Sequence, residues 1–542
     1  MTGSESNQHS TASTLRWLIP ILAFAGGLLV WYAMRWGPWG YRDSAAFLEL
    51  ARNLIRGRGL FTIQASGELN PWVKQPPLYP ILLAVFGRLG MDLLIAGRWI
   101  NVFSIMGLVS LLGWGLWKLR IPSLSILLVL LILVPSPVIV EHYTSLLTEP
   151  LYLTTAVGAL LFLAIYLQQG GVRYAAISSV FLIACTLTRY AGMAILAGAS
   201  LTFLLFHRTI SFRRRIRDVS LYTVLNGLPL ALWMLFQFGS SAFGATAPSF
   251  PTGVWEALRP LRANLVDLTW AWMPLTRWLP PTTYRVRGFI LSVLLILLVG
   301  LFSSLVRRSI RNQQRVNEVS SLFVAAAFML TALVHILFLI AVTVIGPWEV
   351  RIDIRQLSPI YLFGPIGTLL LLFHALQSLD HRMLRYTGMT VLSLAFLVSF
   401  LPRSWDFVQT MRSEGLGYTS AYWYNATILS VVDELPDDFV IISNEPEALY
   451  FHLERRAYRL PDLQSGQPAP ITETFGDDLD NRLHMLFRQN KAVLVLFSAA
   501  NTRLLPLYGE QLEERLVSMV NGLDVQYERW DGAIYWYSPD HP

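Results

Sequence analysis

The chain has 542 residues, of which 54% are hydrophobic and 14% charged, against roughly a quarter charged in an ordinary soluble domain. That balance excludes a soluble globular protein and puts most of the chain in lipid. The net charge of +7 and the single cysteine, Cys185, add two exclusions: the positive charge is spread over short loops, as a positive-inside bias requires, so nucleic acid is not indicated, and no internal disulfide can form.

Residues 1–14 are polar and Ser/Thr-rich, which predicts a disordered cytoplasmic tail. Trp17 to Met34 is too long for a signal-peptide core and lacks a small-residue cleavage site, so it reads as a retained membrane anchor. Gly40 to Gly59, GYRDSAAFLELARNLIRGRG, follows as a short amphipathic helix lying in the interface. Phe47, Leu50, Ala51 and Leu54 recur on one side, Glu49, Arg52, Asn53 and Arg56 on the other, and Gly57 and Gly59 stop it. Asp43 stands at its start, where Asp43 or Ser44 is a natural cap. Leu78 to Gly90 is apolar but short and opens after two prolines, so it reads as interfacial or re-entrant.

Apolar stretches long enough to cross about 30 Å of hydrocarbon number about eleven. They centre near Leu22, Met106, Leu130, Ala159, Leu182, Ala199, Leu230, Leu295, Thr331, Leu369 and Leu394. Arginines crowd the loops at 208–217, 307–315 and 382–385, which makes those loops cytoplasmic. The first loop (36–95), residues 240–284 and everything after Pro402 then face outside.

The organisation expected is a tail (1–14), an α-helical polytopic membrane domain (15–402) and a small external α/β domain (403–542). In the last, Phe439–Ser443, Ala457–Leu460 and Ala492–Ser498 read as strands, and Glu445–Leu453, Asp477–Gln489 and Glu510–Asn521 as helices. Val525–Tyr537 reads as a hairpin turning at Asp531-Gly532. No phosphate loop, paired His or Cys, or serine elbow marks an active site of its own.

Asp43 in the first loop and Lys74-Gln75-Pro76-Pro77-Leu78-Tyr79-Pro80 stand in order with Thr148-Glu149-Pro150, Thr188-Arg189-Tyr190 and Arg355-Gln356-Leu357-Ser358-Pro359. With the hydropathy pattern, this series resembles the GT-C integral-membrane glycosyltransferases over residues 1 to about 400. The nearer likeness is to the bacterial family 39 branch related to protein O-mannosyltransferases and lipid A aminoarabinose transferases. Where that family usually reads Asp-Glu this chain has Asp43-Ser44, and where Lys or His often precedes the Pro-Pro it has Gln75, with Lys74 one place earlier.

The resemblance implies a sugar carried on a polyprenyl phosphate and an inverting transfer to a lipid, glycan or protein acceptor on the outer, periplasmic or extracellular, face of the plasma membrane. Such a reaction needs a base for the acceptor, cations for the departing phosphate and a dry site. Asp43 is the candidate base; its bland alternative is helix capping. Glu149 is a candidate second acid, positioning the acceptor or a divalent metal; it is equally an ordinary helix-start acid beside Pro150. No other cofactor is indicated.

Lys74, Arg189 and Arg355, with Arg351, are candidates for holding the donor phosphate, against snorkelling to the interface. His142 and Tyr143, in a tight external turn, and Tyr190 are candidates for lining the acceptor or sugar path. The rival classes are a flippase or transporter of lipid-linked sugars, which calls for ionisable residues in mid-span, and a membrane scaffold whose outer domain binds partners.

Overall fold

In the computed structural model the described residues are 3–63, 69–207, 211–238, 254–274, 283–311, 320–345, 355–379, 381–459, 489, 491–500, 520 and 523–537. Arg351 and the helices expected over 477–489 and 510–521 lie outside them, apart from Gln489 and Val520.

The chain opens with α1 (Gly3–Ala33), α2 (Arg42–Ile55), the pair β1 (Phe61–Ile63) and β2 (Leu69–Pro71), and α3 (Leu78–Arg88). A long helical series follows: α4 (Leu93–Lys118), α5 (Ser123–Leu133), α6 (Pro137–Tyr143), α7 (Glu149–Gln169), α8 (Val172–Thr188), α9 (Gly192–Phe206) and α10 (Phe212–Phe238). It continues as α11 (Val254–Trp272), α12 (Tyr284–Arg311), α13 (Ser320–Ile345), α14 (Ser358–Gln377) and α15 (Arg382–Ser413). The chain closes with α16 (Ala421–Asn425), α17 (Thr427–Asp433), β3 (Val440–Ser443), α18 (Pro446–Leu453), β4 (Tyr458–Arg459), β5 (Ala492–Phe497), β6 (Leu523–Arg529) and β7 (Gly532–Tyr537).

Among the described residues, eight helices are long and apolar enough to cross a membrane, so the chain is a multi-pass membrane protein. A ninth crossing is the pair α5 and α6 if they count together; they bend by 64°, where Pro135 and Pro137 remove backbone donors and restrict the residues before them. Helices α8 and α9 are apolar but shorter, as is α3. Each of the eleven expected centres falls inside one of these helices. Helix α1 begins at Gly3, so residues 3–14 are helical where composition predicts a disordered tail; a proline-free polar stretch can extend a helix that the apolar span has already nucleated.

The chain divides into two compact units: Met1–Pro38 with Val73–Leu82 and Leu94–Ser413, and Trp39–Trp72 with Leu83–Leu93 and Glu414–Pro542. In the first, α7 is buried along almost its whole length and packs on α8, α9, α13 and α14. Gly170, at φ 72°, ends it.

In the second unit the sheet order is β4-β3-β5-β7-β6, with β3, β4 and β5 parallel and the β6–β7 hairpin antiparallel at the other side. The central strand β5, AVLVLF, is the buried one, as a continuous apolar run requires. Helix α2 belongs to this unit and packs on α18. Its expected polar face is therefore not free: Glu49 and Asn53 are buried with the apolar residues. Asn53 Nδ2 donates to the Phe61 carbonyl at 2.7 Å, and Glu49 accepts the Ile63 N–H at 2.7 Å. Burial pushes the Glu49 carboxyl up from the usual carboxylate range, while that N–H and the charges of Arg456 and Arg52 pull the other way. Interface-lying amphipathicity and packing within a domain share a sequence pattern, and periodicity alone does not show the partners that cover the polar side.

Candidate functional site

In the membrane unit the centre is Glu149, the first residue of α7, with a side chain 1% exposed. Arg355 Nε donates to Glu149 Oε1 at 2.9 Å, and Arg189 Nη1 pairs with the same oxygen. The Thr148 hydroxyl accepts from Arg189 at 3.2 Å and donates to Glu149 Oε2 at 3.4 Å. Gln356 Oε1 accepts from Arg189 Nη2 at 3.4 Å, and the Arg189 guanidinium lies 5.9 Å from the centre of the Tyr152 ring. Two cations thus share one carboxylate and leave a net positive charge.

Local sequence explains how these groups are presented. Pro150 needs no backbone partner in the first turn of α7, so a helix starts there with Glu149 at its head. Arg189 is the extended residue that closes α8, three positions ahead of α9, and Arg355 lies in the turn just before α14. Three helices, α7, α9 and α14, therefore begin beside the cluster, and the partial positive charge of a helix start favours anions.

His142 is buried within electrostatic reach of Glu149, Arg355 and Arg189, with its ring edge-on to Tyr361, and its Nε2 has no hydrogen-bond partner among the described residues. It lies in the last turn of helix α6, one residue before its end, and not in a tight connecting turn, because Pro137 starts a helix there. Tyr143 is placed differently: its hydroxyl bonds Thr154 Oγ1 at 2.9 Å, and Thr154 also donates to the Ser104 and Pro150 carbonyls, so it ties α6 and α7 together. The Tyr190 hydroxyl donates to the Val73 carbonyl at 3.0 Å, tethering the segment that carries Lys74; Lys74 itself is exposed.

Asp43 belongs to the other unit. Helix α2 starts at Arg42, so Asp43 falls in its first turn and Tyr41 takes the cap position; the Ser44 hydroxyl reaches back to accept the Tyr41 N–H at 2.9 Å. Asp43 is half-buried, an acidic side chain in the first turn of the helix.

Both guanidiniums engage one oxygen of the Glu149 carboxylate, and among the described residues no three His, Cys, Asp or Glu gather as a divalent-metal site needs. His335 was missed from sequence: within α13 its Nε2 bonds the Gln356 carbonyl at 2.9 Å and holds the turn that carries Arg355. A lone ionisable residue in the run LFVAAAFMLTALVHILFLI was the available signal.

The fold is a known one. It is similar to ArnT from Cupriavidus metallidurans bound to undecaprenyl phosphate, at 14% identity and a TM-score of 0.53, covering 96% of this chain and 98% of that one. It is also similar to the archaeal oligosaccharyltransferase AglB from Archaeoglobus fulgidus in complex with an inhibitory peptide and a dolichol-phosphate, at 11% identity and a TM-score of 0.52, covering 97% and 75%. A third likeness is to the arabinofuranosyltransferase AftD from Mycobacteria, at 15% identity and a TM-score of 0.51, covering 97% of this chain and 42% of that one. All three are GT-C fold glycosyltransferases, and the chain has their fold. No family model and no curated protein matches the sequence.

Proposed function

We propose that the chain is a membrane glycosyltransferase that takes a sugar from a polyprenyl-phosphate donor and passes it, with inversion, to an acceptor on the outer face. The observation that carries this reading is the buried Glu149–Arg189–Arg355 cluster on a fold shared with ArnT bound to undecaprenyl phosphate. A net positive charge at three helix starts suits a phosphate, and Glu149 fixes the guanidiniums so that little is spent orienting them when the donor arrives. Arg355, at 21% exposure against 8% for Arg189, is the one that meets the phosphate; Arg189 backs it. His142 offers its Nε2 as a further polar contact, and Lys74 adds an exposed point charge.

In the transfer, the acceptor oxygen bonds the anomeric carbon as the bond from that carbon to the phosphate oxygen breaks. The phosphate keeps the electron pair, its charge balanced by the arginines, and needs no proton. The acceptor hydroxyl must lose its proton, which Asp43 takes as general base. Glu149, engaged by two cations, positions them and is not the base. In this reading the unit containing residues 414–542 also faces outside and contributes to acceptor choice.

The reading is tested by offering the purified protein undecaprenyl phosphate carrying mannose, glucose, arabinose or 4-amino-4-deoxyarabinose and measuring release of undecaprenyl phosphate. Release from one donor supports it. A protein that moves such lipids between leaflets of a vesicle but releases no sugar from any of them is a carrier instead.

A further inference from the structure

Asp43 follows Arg42 directly, and the turn that holds both is clamped by residues from the far end of the chain. Arg42 Nη2 donates to Glu445 Oε1 at 3.2 Å. The Tyr418 hydroxyl donates to Glu445 Oε2 at 2.7 Å, and the Glu445 N–H donates to Ser443 Oγ at 3.1 Å. Three residues before Asp43, the Gly40 carbonyl accepts the Tyr418 N–H at 3.0 Å, and Gly40 forms an isolated parallel bridge with Gly417. Gly417 sits at φ 57°, and a Cβ there would run into the Gly40 carbonyl oxygen, so this close approach needs glycine.

The far end of α2 is held differently. Glu454 takes Arg52 Nε at 3.1 Å and Arg56 Nη2 at 2.6 Å, and its side chain is 39% exposed. Exposed pairs of this kind, with the packing of Phe47, Leu48 and Leu50, suffice to dock a helix. A carboxylate buried to 1% exposure, as Glu445 is, costs more desolvation than docking needs. What the Glu445 pair adds is orientation: it fixes the residue next to Asp43 through a directional, charge-assisted bond.

We infer that Glu445 is a positioning residue for Asp43, holding the first turn of α2 through Arg42 so that the unit formed with residues 414–542 completes the catalytic turn. The inference rests on the assignment of Asp43 as base given above. A base must lie within hydrogen-bond reach of the proton it takes, and a displacement of about 1 Å can cost on the order of a hundredfold in rate.

The test uses the full chain and release of undecaprenyl phosphate from whichever of the four donors above is consumed. Glu445→Gln keeps the volume and the acceptor for Tyr418 but loses the ionic hold on Arg42. It is expected to lower kcat about tenfold with donor KM unchanged, and Arg42→Met to do the same, while Arg42→Lys keeps most of the rate. In an Asp43→Asn background Glu445→Gln should cost no more than about twofold further, because the group it positions is gone. Glu454→Gln, at the other end of α2, should leave kcat within about twofold.

Unchanged kcat in Glu445→Gln beside a crippled Asp43→Asn overturns this inference and leaves the base assignment standing. Full turnover by Asp43→Asn removes both. A Glu445→Gln loss of equal size in the two backgrounds shows a general effect on folding and also overturns it.

Discussion

Glu149 Oε1 accepts the Nε–H of Arg355 at 2.9 Å across 206 positions of sequence, and the same oxygen is shared with Arg189. A single carboxylate therefore sets two guanidiniums, one at the end of α8 and one just before α14. Such sharing converts two flexible side chains into one fixed cationic face.

Removing that carboxylate takes the shared counter-charge away from two largely buried guanidiniums. Glu149→Ala is expected to cost about 3–5 kcal/mol of stability, the usual penalty for breaking a buried pair, read as a lowered Tm of the detergent-solubilised protein. Glu149→Gln keeps an acceptor and should fold, with donor KM raised and the acid limb of the pH–rate profile unmoved. A Glu149→Ala protein as stable as its parent would show that the cluster carries no such load.

Arg355→Lys keeps the charge but loses the planar fork that bonds Glu149 and a phosphate together. We expect kcat/KM for the donor to fall by about tenfold or more, roughly 1.4 kcal/mol of transition-state stabilisation. Full activity with unchanged donor KM would reduce Arg355 to a snorkelling residue.

How much of this the sequence discloses depends on the range of the interaction. The helix at each expected centre and the β6–β7 hairpin follow from local hydropathy and turn chemistry, and they are present, the hairpin turning at Trp530-Asp531, one position before the expected Asp531-Gly532. The order of the short motifs points to Glu149, Arg189 and Arg355 separately; that both arginines meet one oxygen of Glu149 does not follow from any spacing, because the three stand at the ends of helices far apart in sequence. For α2 the helix follows from periodicity but its partners do not: Glu445 and Glu454, some 400 positions away (403 from Arg42 and 398 from Arg56), decide where its arginines go.

Glu49 supplies a stability test in the second unit. Its carboxyl is raised in the folded state, so folding favours the protonated form. The stabilisation is full below the unfolded carboxylate value and is lost as pH rises through the raised folded value. Glu49→Gln mimics the protonated form and can still accept the Ile63 N–H, so it should match the parent at acid pH and exceed its Tm near neutrality. Equal Tm values for the two proteins at every pH would contradict the burial argument.

Topology is tested by a reporter fused after Pro542. The positive-inside reading of the loops at 208–217, 307–315 and 382–385 places that end outside the cytoplasm, so a reporter that works only there should be active. Activity of a cytoplasm-dependent reporter instead would invert the assignment of faces.

Whether Asp43 takes the acceptor proton is decided by the Asp43→Asn variant. Helix α2 begins at Arg42 with Tyr41 in the cap position, and asparagine keeps the size of aspartate and caps a helix as well, so the substitution removes the charge and spares the helix start. Single-turnover release of undecaprenyl phosphate, with donor binding measured separately on the same preparation, isolates the chemical step. With Asp43 as the base, the Asn variant folds, binds donor as the parent does and turns it over about a hundredfold or more slowly, the usual contribution of a positioned base. A folded Asp43→Asn protein that releases undecaprenyl phosphate at near the parent rate would contradict it.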